Sequence, residues 1–466
     1  MRKFLLVTCA LLMWGGAMAQ DVVVDRQTVV GKIKPMNGVN NAPKGPENID
    51  GQLLDNYEVY RAAKFPFART HDAALCENYG GQQAVDITAI FPDFDKNPNN
   101  PESYNFRLTD RYVERIINEG GSQVFFRMGQ SIENHGQNFG VRPPKDFKKW
   151  AVVCEHIIRH YNEGWADGFH HNIKYWEIWN EPDLDRKDWQ TAPRNWGGSP
   201  EAFFELFSIT ARHLKKCFPD LKIGGPAVAG DEEWTEMFLK NMSENNVPID
   251  FFSWHIYSFD TQRIITRAER MRALCDKYGY TEAESILNEW NYIKNWTSDF
   301  GYSVTVMSSV KGAAFTAAVM SACQDSSVDN AMYYDARPYT LYNGLFDFYT
   351  QKPMPPYYSF YAWSRLSQFG NQAKVKVDAE KNRDLYAVAA LNDKGALRLL
   401  LTRYNDDNNV IRKKRIKVDI GLDYTGEVMG YMVDSARLYT EIPLESSGGI
   451  IEVEMEPNAV LMIVAM

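Results

Sequence analysis

Two glutamates carry the strongest chemical signal in the 466-residue chain. Glu181 stands in "YWEIWNEPDL" (175–184), where an aromatic, apolar run breaks at Asn180-Glu181-Pro182. Glu289 stands in "SILNEWNY" (285–292), at the end of a second apolar run. Pro182 disfavours helical geometry in the residue before it and stiffens the bend, so Glu181 belongs to a corner. A lone glutamate at a strand end is ordinarily a solvated surface group. Two of them, each closing an apolar run, can divide the cleavage of one bond. One keeps its proton near neutral pH and donates it to a leaving oxygen, while the other stays ionised and attacks. Glycosidic bonds are cleaved this way. The carboxyls stand about 5–5.5 Å apart when configuration is retained and about 6.5–9.5 Å apart when it is inverted.

The elements that must position this pair follow from the pattern of short apolar runs. Eight read as strands: 36–40, 65–69, 122–128, 173–179, 221–225, 250–257, 285–290 and 330–335. Helical spacing of apolar residues fills the gaps, at 108–120, 146–161, 200–217, 232–245, 262–279 and 304–323. Strands that alternate with helices predict a closed parallel (β/α)8 TIM barrel. An open, doubly wound sheet is the competitor, but no GxGxxG or phosphate loop opens a helix here. In the barrel, Glu181 ends the fourth strand and Glu289 the seventh. These ends face each other across the rim where barrel enzymes carry their chemistry. The texture changes near residue 365. Short alternating runs split by Asn, Asp and Gly then predict a C-terminal antiparallel β-sandwich. The expected organisation is therefore a leader at 1–19, a strand at 20–35 that joins the sandwich, a barrel at 36–364 and the sandwich at 365–466.

Composition sets outer bounds. The chain is 45% hydrophobic and 13% aromatic, with a formal net charge of −9, which predicts a large core and a mildly acidic surface. No basic run marks a nucleic-acid partner. Arg2 and Lys3, the apolar stretch Phe4–Trp14 and the small-x-small Ala17-Met18-Ala19 read as a cleavable secretory signal. A secreted or periplasmic protein is expected, and no later stretch approaches a membrane span. Beyond the leader, Cys76, Cys154, Cys217, Cys275 and Cys323 are widely spaced and odd in number, which is no disulfide framework. His156 and His160 are spaced for a metal, but the sequence lacks the HExxH order and they read as helix-surface histidines. No metal or other cofactor is expected.

"WEIWNEPDL" together with "ILNEWN" resembles the clan of retaining glycosidases built on (β/α)8 barrels. Within it the closest likeness is glycoside hydrolase family 39, the β-xylosidase and α-L-iduronidase family. "ARTHD" (68–72), "WHIYS" (254–258) and the late sandwich share that likeness, which spans essentially the whole mature chain. The resemblance implies that Glu181 is the general acid/base and Glu289 the nucleophile. It implies that Asn180 binds the hydroxyl beside the anomeric carbon and that His71 binds hydroxyls at the innermost subsite. His255 and Tyr257 would lie by Glu289, with Tyr257 orienting it, and Trp296 would wall the pocket. The eighth strand departs from the clan pattern by reading "MYYDARPY" (332–339). There Tyr334 replaces a tryptophan platform, and Arg337 either pairs with a substrate carboxylate or fixes its own loop. The expected activity is exo-acting hydrolysis of β-xylosides or related glycan ends, with an oligosaccharide or glycoside as partner. Iduronidase-like cleavage of uronic acids, endo-acting cleavage and sugar binding on an inactive barrel are the alternatives. Sugar, linkage and oligomeric state stay open.

Overall fold

The computed structural model describes residues 20–466 apart from 50, 73–83, 133–139, 422, 423 and 425. The expected leader at 1–19, Cys76 and most of the loop at 133–140 lie outside the described residues.

Each of the eight apolar runs is a strand of one closed parallel barrel. In order they are Gly38–Asn40, Phe67–Arg69, Gln123–Met128, Tyr175–Ile178, Lys222–Val228, Phe251–Tyr257, Glu284–Asn291 and Asn330–Tyr333. Side chains alternate in and out along a strand, which sorts the barrel into layers. Phe125, Phe251, Ile286 and Met332, with Phe67 and Tyr175, form an apolar plug inside. Their neighbours Val124, Phe126, Trp176, Ile178 and Phe252 face outward into the helices. Two residues further along the inward set come Arg69, Arg127, Glu177, Ser253 and Asn288, all buried. A charged layer thus rests directly on the apolar plug, and the site lies above it.

The surrounding helices start where side-chain oxygens can take the unpaired backbone N–H groups. Asp146, Ser199, Asp231, Asp260 and Ser309 each cap a first turn in this way. Each such cap stabilises by about 0.5–2 kcal/mol. The helix expected at 304–323 is two helices, Phe300–Met307 and Val310–Gln324, bent by 80°. The bend packs Gly312 against the end of the first helix. A Cβ there would stand 2.3 Å from the carbonyl oxygen of Val306, so only glycine fits. Among the described residues no single helix is long and apolar enough to cross a membrane. His156 and His160 are buried, not on the helix surface. His160 stacks on Phe106 at 3.6 Å and its Nε2 sits 3.0 Å from Asp110. The loop carrying Trp165 and Phe169 folds back over that face.

The C-terminal region is one ten-stranded sheet, antiparallel except where Val22–Lys32 lies parallel to Lys414–Asp419. The strand Val22–Lys32 also pairs antiparallel with Asn371–Val377, so the N-terminal segment is part of this sheet. The sheet curls over on a core of its own, in which Val22, Leu399, Met432 and Ile451 meet. Its other face contributes Val388, Leu400, Val460 and Met462 to the barrel's outer core. One polar anchor bears on the site. Asp406 of the sheet region accepts from Tyr292 Oη at 2.6 Å and pairs with Lys294 at 2.8 Å. Both residues follow Glu289 closely, so the sheet holds the loop leaving the seventh strand.

Candidate active site

The corner at Glu181 is strained and braced. Trp179 and Glu181 both adopt left-handed backbone, with φ of 75° and 48°. Such conformations cost side-chain-bearing residues on the order of 1–3 kcal/mol each and persist where the surroundings over-determine them. The brace is visible in the hydrogen bonds. Trp179 Nε1 donates to Asn195 O at 2.8 Å, and the Glu181 backbone N–H donates to Ala227 O at 3.0 Å. Asp183 accepts from the backbone N–H groups of Ala229, Gly230 and Asp231 at 2.8–2.9 Å. Asp185 accepts from those of Arg194, Asn195 and Trp196 at 2.9, 2.5 and 2.9 Å. The acidic residues after the Asn-Glu-Pro corner therefore clamp two loops, and one loop returns Asn195 Nδ2 to Glu181 Oε2 at 3.2 Å.

Beneath the cavity Arg69 organises the charged layer. Its Nε donates to Glu177 at 2.7 Å, its Nη2 to Asn180 Oδ1 at 2.8 Å and its Nη1 to Asn40 Oδ1 at 3.1 Å. The same Nη1 stands 3.3 Å from Glu289 Oε2. A guanidinium carries five donors in a planar fork and has no acceptor, so it can hold three elements at fixed angles. Because it takes Asn180 Oδ1, the amide nitrogen of Asn180 is left to donate into the cavity.

Glu181 and Glu289 open onto one cavity of about 1300 Å³. A carboxylate oxygen of each, with a nitrogen of His255, lie within 4.8 Å of one another. Their surroundings differ. Glu289 accepts from Tyr257 Oη at 2.5 Å and has Arg69 and His71 Nε2 at 3.3 and 3.1 Å. Glu181 has His255 Nδ1 at 2.8 Å and, among the described residues, no arginine within ion-pair distance. Burial, then the nearby charges of Glu289 and Asp183, push the Glu181 carboxyl well above the usual range. Burial also pushes His255 down to about 4 and His71 well below the usual imidazole value, so both are neutral near pH 7. A neutral imidazole can donate to Glu181 when it is a carboxylate and accept from it when it is an acid. Burial, then Glu289, raises the Tyr257 hydroxyl far above its usual value, which keeps it a donor.

The raised carboxyl predicts a pH-dependent stability effect. A native-state pKa above the unfolded one means that stability falls as pH rises through the interval between them. Below about pH 4 both states hold the proton and no penalty exists. Glu181→Gln removes the ionisable group, and the unpaired Oδ1 of Asn195 can turn to accept from the new amide. Calorimetry on the two proteins should give similar Tm values near pH 4 and a higher Tm for the variant near pH 8. A gap that does not depend on pH would refute the assignment.

Of the residues singled out in the sequence, the structure brings His71, Asn180, Glu181, Tyr257, Glu289, Trp296 and Tyr334 together on the cavity wall. Tyr334 meets His71 edge to face at 5.0 Å, and Trp296 stands over Tyr257 at 5.1 Å with 54% of its surface exposed. His255 lies behind the wall and acts on Glu181 rather than on the cavity. Arg337 is not on the wall. Its guanidinium donates to the carbonyl of Asp72 and lies 3.7 Å from the buried Asp335. Arg69, Glu177, Asn40, Asn195 and Tyr342 are site components the sequence reading left unmarked. Glu181, His255 and Glu289 also have the spacing of a cation's ligands, but Arg69 and His71 already face Glu289. Glu155, His213 and Cys217 are similarly close between two helices, where Arg159 pairs with Glu155 at 2.8 Å.

This arrangement can be set beside known proteins. The sequence model of glycosyl hydrolases family 39 matches residues 79–366. The chain belongs to glycosyl hydrolases family 39. The chain is similar to a beta-xylosidase of Geobacillus stearothermophilus, 29% identical over 221 residues, 45% of this chain and 40% of that protein. A beta-xylosidase of Caldicellulosiruptor saccharolyticus is 34% identical over 122 residues, 26% of this chain and 23% of that one. The matched stretches thus span less than half of either relative. The fold extends further than the sequence likeness. A glucosidase structure from Croceicoccus marinus superposes with a TM-score of 0.76 over 96% of this chain and 99% of that one, at 23% identity.

Proposed function

We propose that this protein is a retaining glycoside hydrolase that removes terminal sugars from β-xylosides or related glycans by double displacement. The observation that carries the reading is the carboxylate pair, with oxygens within 4.8 Å across one cavity. Acids this close support the retaining arrangement, whose carboxyls stand about 5–5.5 Å apart, over the wider inverting one. The unequal surroundings support one division of roles. Glu289, compensated by Arg69 and Tyr257, attacks the anomeric carbon. Glu181, kept protonated by burial and by its anionic neighbours, donates its proton to the departing oxygen. The ester formed on Glu289 is then opened by water, whose proton returns to Glu181, and the free carboxylate of Glu289 leaves. Asn180 donates to the hydroxyl beside the anomeric carbon, a contact that tightens as positive charge develops on the ring.

Two named relatives are beta-xylosidases, which supports xylose as the first sugar to test. With residues 1–19 as a cleavable leader, the enzyme acts outside the cytoplasm. A panel of aryl glycosides tests the whole reading. Cleavage of an aryl β-xyloside, with the β-anomer of xylose formed first in the NMR spectrum, is the expected result. First release of the α-anomer would overturn the mechanism, and no turnover of any glycoside would overturn the function. The alkaline limb of kcat/KM should also disappear in Glu181→Gln when the leaving group is acidic enough to depart without a proton.

A further inference from the structure

The cavity wall beyond Glu181 is lined by guanidinium groups that the proposed chemistry does not use. Arg263, Arg267 and Arg270 recur at helical spacing on Thr261–Lys277, so they share one face of that helix. All three line the cavity, and Arg194 joins them from the loop that Asp185 clamps. The nearby acids are largely committed elsewhere. Asp183 is taken up by three backbone N–H groups, and Asp231 pairs with Arg186 at 3.1 Å while capping its helix at Trp234. Glu232 faces Arg270 at 3.4 Å. Among the described residues, Arg194, Arg263 and Arg267 make no ion pair.

Arg267 is the informative member. Its Nε and Nη2 are enclosed and have no hydrogen-bond partner, and its guanidinium lies beside Gly230. Enclosed donors without partners are costly, more so when charged, so they mark a place where something else completes the bonding. The position says what. The loops after the fourth and fifth strands and the helix after the sixth surround Arg267, on the Glu181 side of the cavity. His71, Tyr334 and Trp296 belong to the opposite side, from the second, seventh and eighth strands. The group leaving on Glu181 departs toward the arginines.

We propose that this wall is a leaving-group subsite for an anionic sugar, one bearing a carboxylate or a sulfate that Arg267 and Arg263 bind together. The inference rests on the retaining-glycosidase reading and refines its substrate class. A fork of N–H donors meets either anion bidentately, and exposed Arg263 adds attraction that salt should weaken.

The test uses full-length protein and three glycosides of the best sugar from the aryl panel. Their aryl leaving groups have matched acidity and carry an amide, a carboxylate or a sulfate. Wild type should favour one or both anionic leaving groups by roughly 10–100-fold in kcat/KM, the range expected for charge-assisted bonds. In Arg267→Gln and, independently, in exposed Arg263→Gln, the ratio of anionic to neutral substrate should fall at least several-fold. Added salt should shrink the wild-type ratio. Carboxylate preference alone would identify a uronate, and sulfate preference alone a sulfated sugar. Turnover of all three at equal kcat/KM would overturn the subsite while leaving the glycosidase reading intact. An unchanged ratio in both variants would do the same. No turnover of any of them would instead refute the parent reading, and calorimetric binding of free glucuronate or glucose 6-sulfate, lost in Arg263→Gln, would then decide the subsite alone. No binding of either would overturn it.

Discussion

Glu289→Gly should lose roughly 10⁴-fold or more in kcat, and added azide should restore turnover as a glycosyl azide of inverted configuration. The size of the loss follows from the route. Without the carboxylate there is no covalent intermediate, and one difficult displacement replaces two easier ones. The truncation leaves a space beside Arg69, His71 and Tyr257, whose donors still face it. A small anion in that space attacks the anomeric carbon from the side Glu289 occupied, so the product has the opposite configuration to the substrate. Glu181→Ala should behave in the mirror sense. The glycosyl ester forms from an activated substrate, azide attacks it from the vacated Glu181 side, and the product azide keeps the substrate's configuration. Measuring both product configurations by NMR separates the roles. Exchanged configurations would reverse the assignment, and the same configuration from both variants would abolish it.

The largest stability effect should come from a residue outside the acid pair. Arg69→Met is expected to destabilise the protein by about 3–5 kcal/mol, read from chemical denaturation. Arg69 and Glu177 have no exposed side-chain surface. Removing the cation leaves the buried Glu177 carboxylate without its counterion, although Ser253 Oγ and Asn288 Nδ2 still donate to its other oxygen at 2.5 Å. Replacing both partners removes the uncompensated charge, so Arg69→Met with Glu177→Leu should recover part of the loss. The double variant should remain inactive, since Asn180 and Glu289 have lost their common anchor. A single variant that costs under about 1 kcal/mol would show that the charged layer does not hold the site together.

The barrel was legible because its eight strands are apolar on both faces and bounded by helical spacing. The charged layer was legible in principle too. Arg69 and Glu177 each sit within a strand whose neighbours are apolar, and a charge buried on both sides requires a partner. Period-two alternation puts Arg69 on the same face as Phe67 and Glu177 on the same face as Tyr175. What alternation cannot supply is the pairing between the second and fourth strands, since it runs across the barrel interior. Arg337 shows another boundary. A guanidinium in a loop reaches several directions from one backbone position, and here it turns back to Asp72 and Asp335. The break at Ser308-Ser309 was hidden because apolar spacing continues through it, while the deciding contact is between Gly312 and Val306. Asn195 returns to Glu181 because the Asp185 carboxylate holds its backbone N–H, a path with no periodic signature.

Glu289 is expected to bear a covalently bound sugar midway through the reaction while Glu181 stands opposite as acid and base. Incubation with an activated 2-deoxy-2-fluoro glycoside, followed by intact-mass measurement and peptide mapping, tests it most directly. One equivalent of fluorosugar on the peptide holding Asn288-Glu289-Trp290 is the predicted result. Label on any other carboxylate, or cleavage of the reagent without a trapped ester, would contradict it.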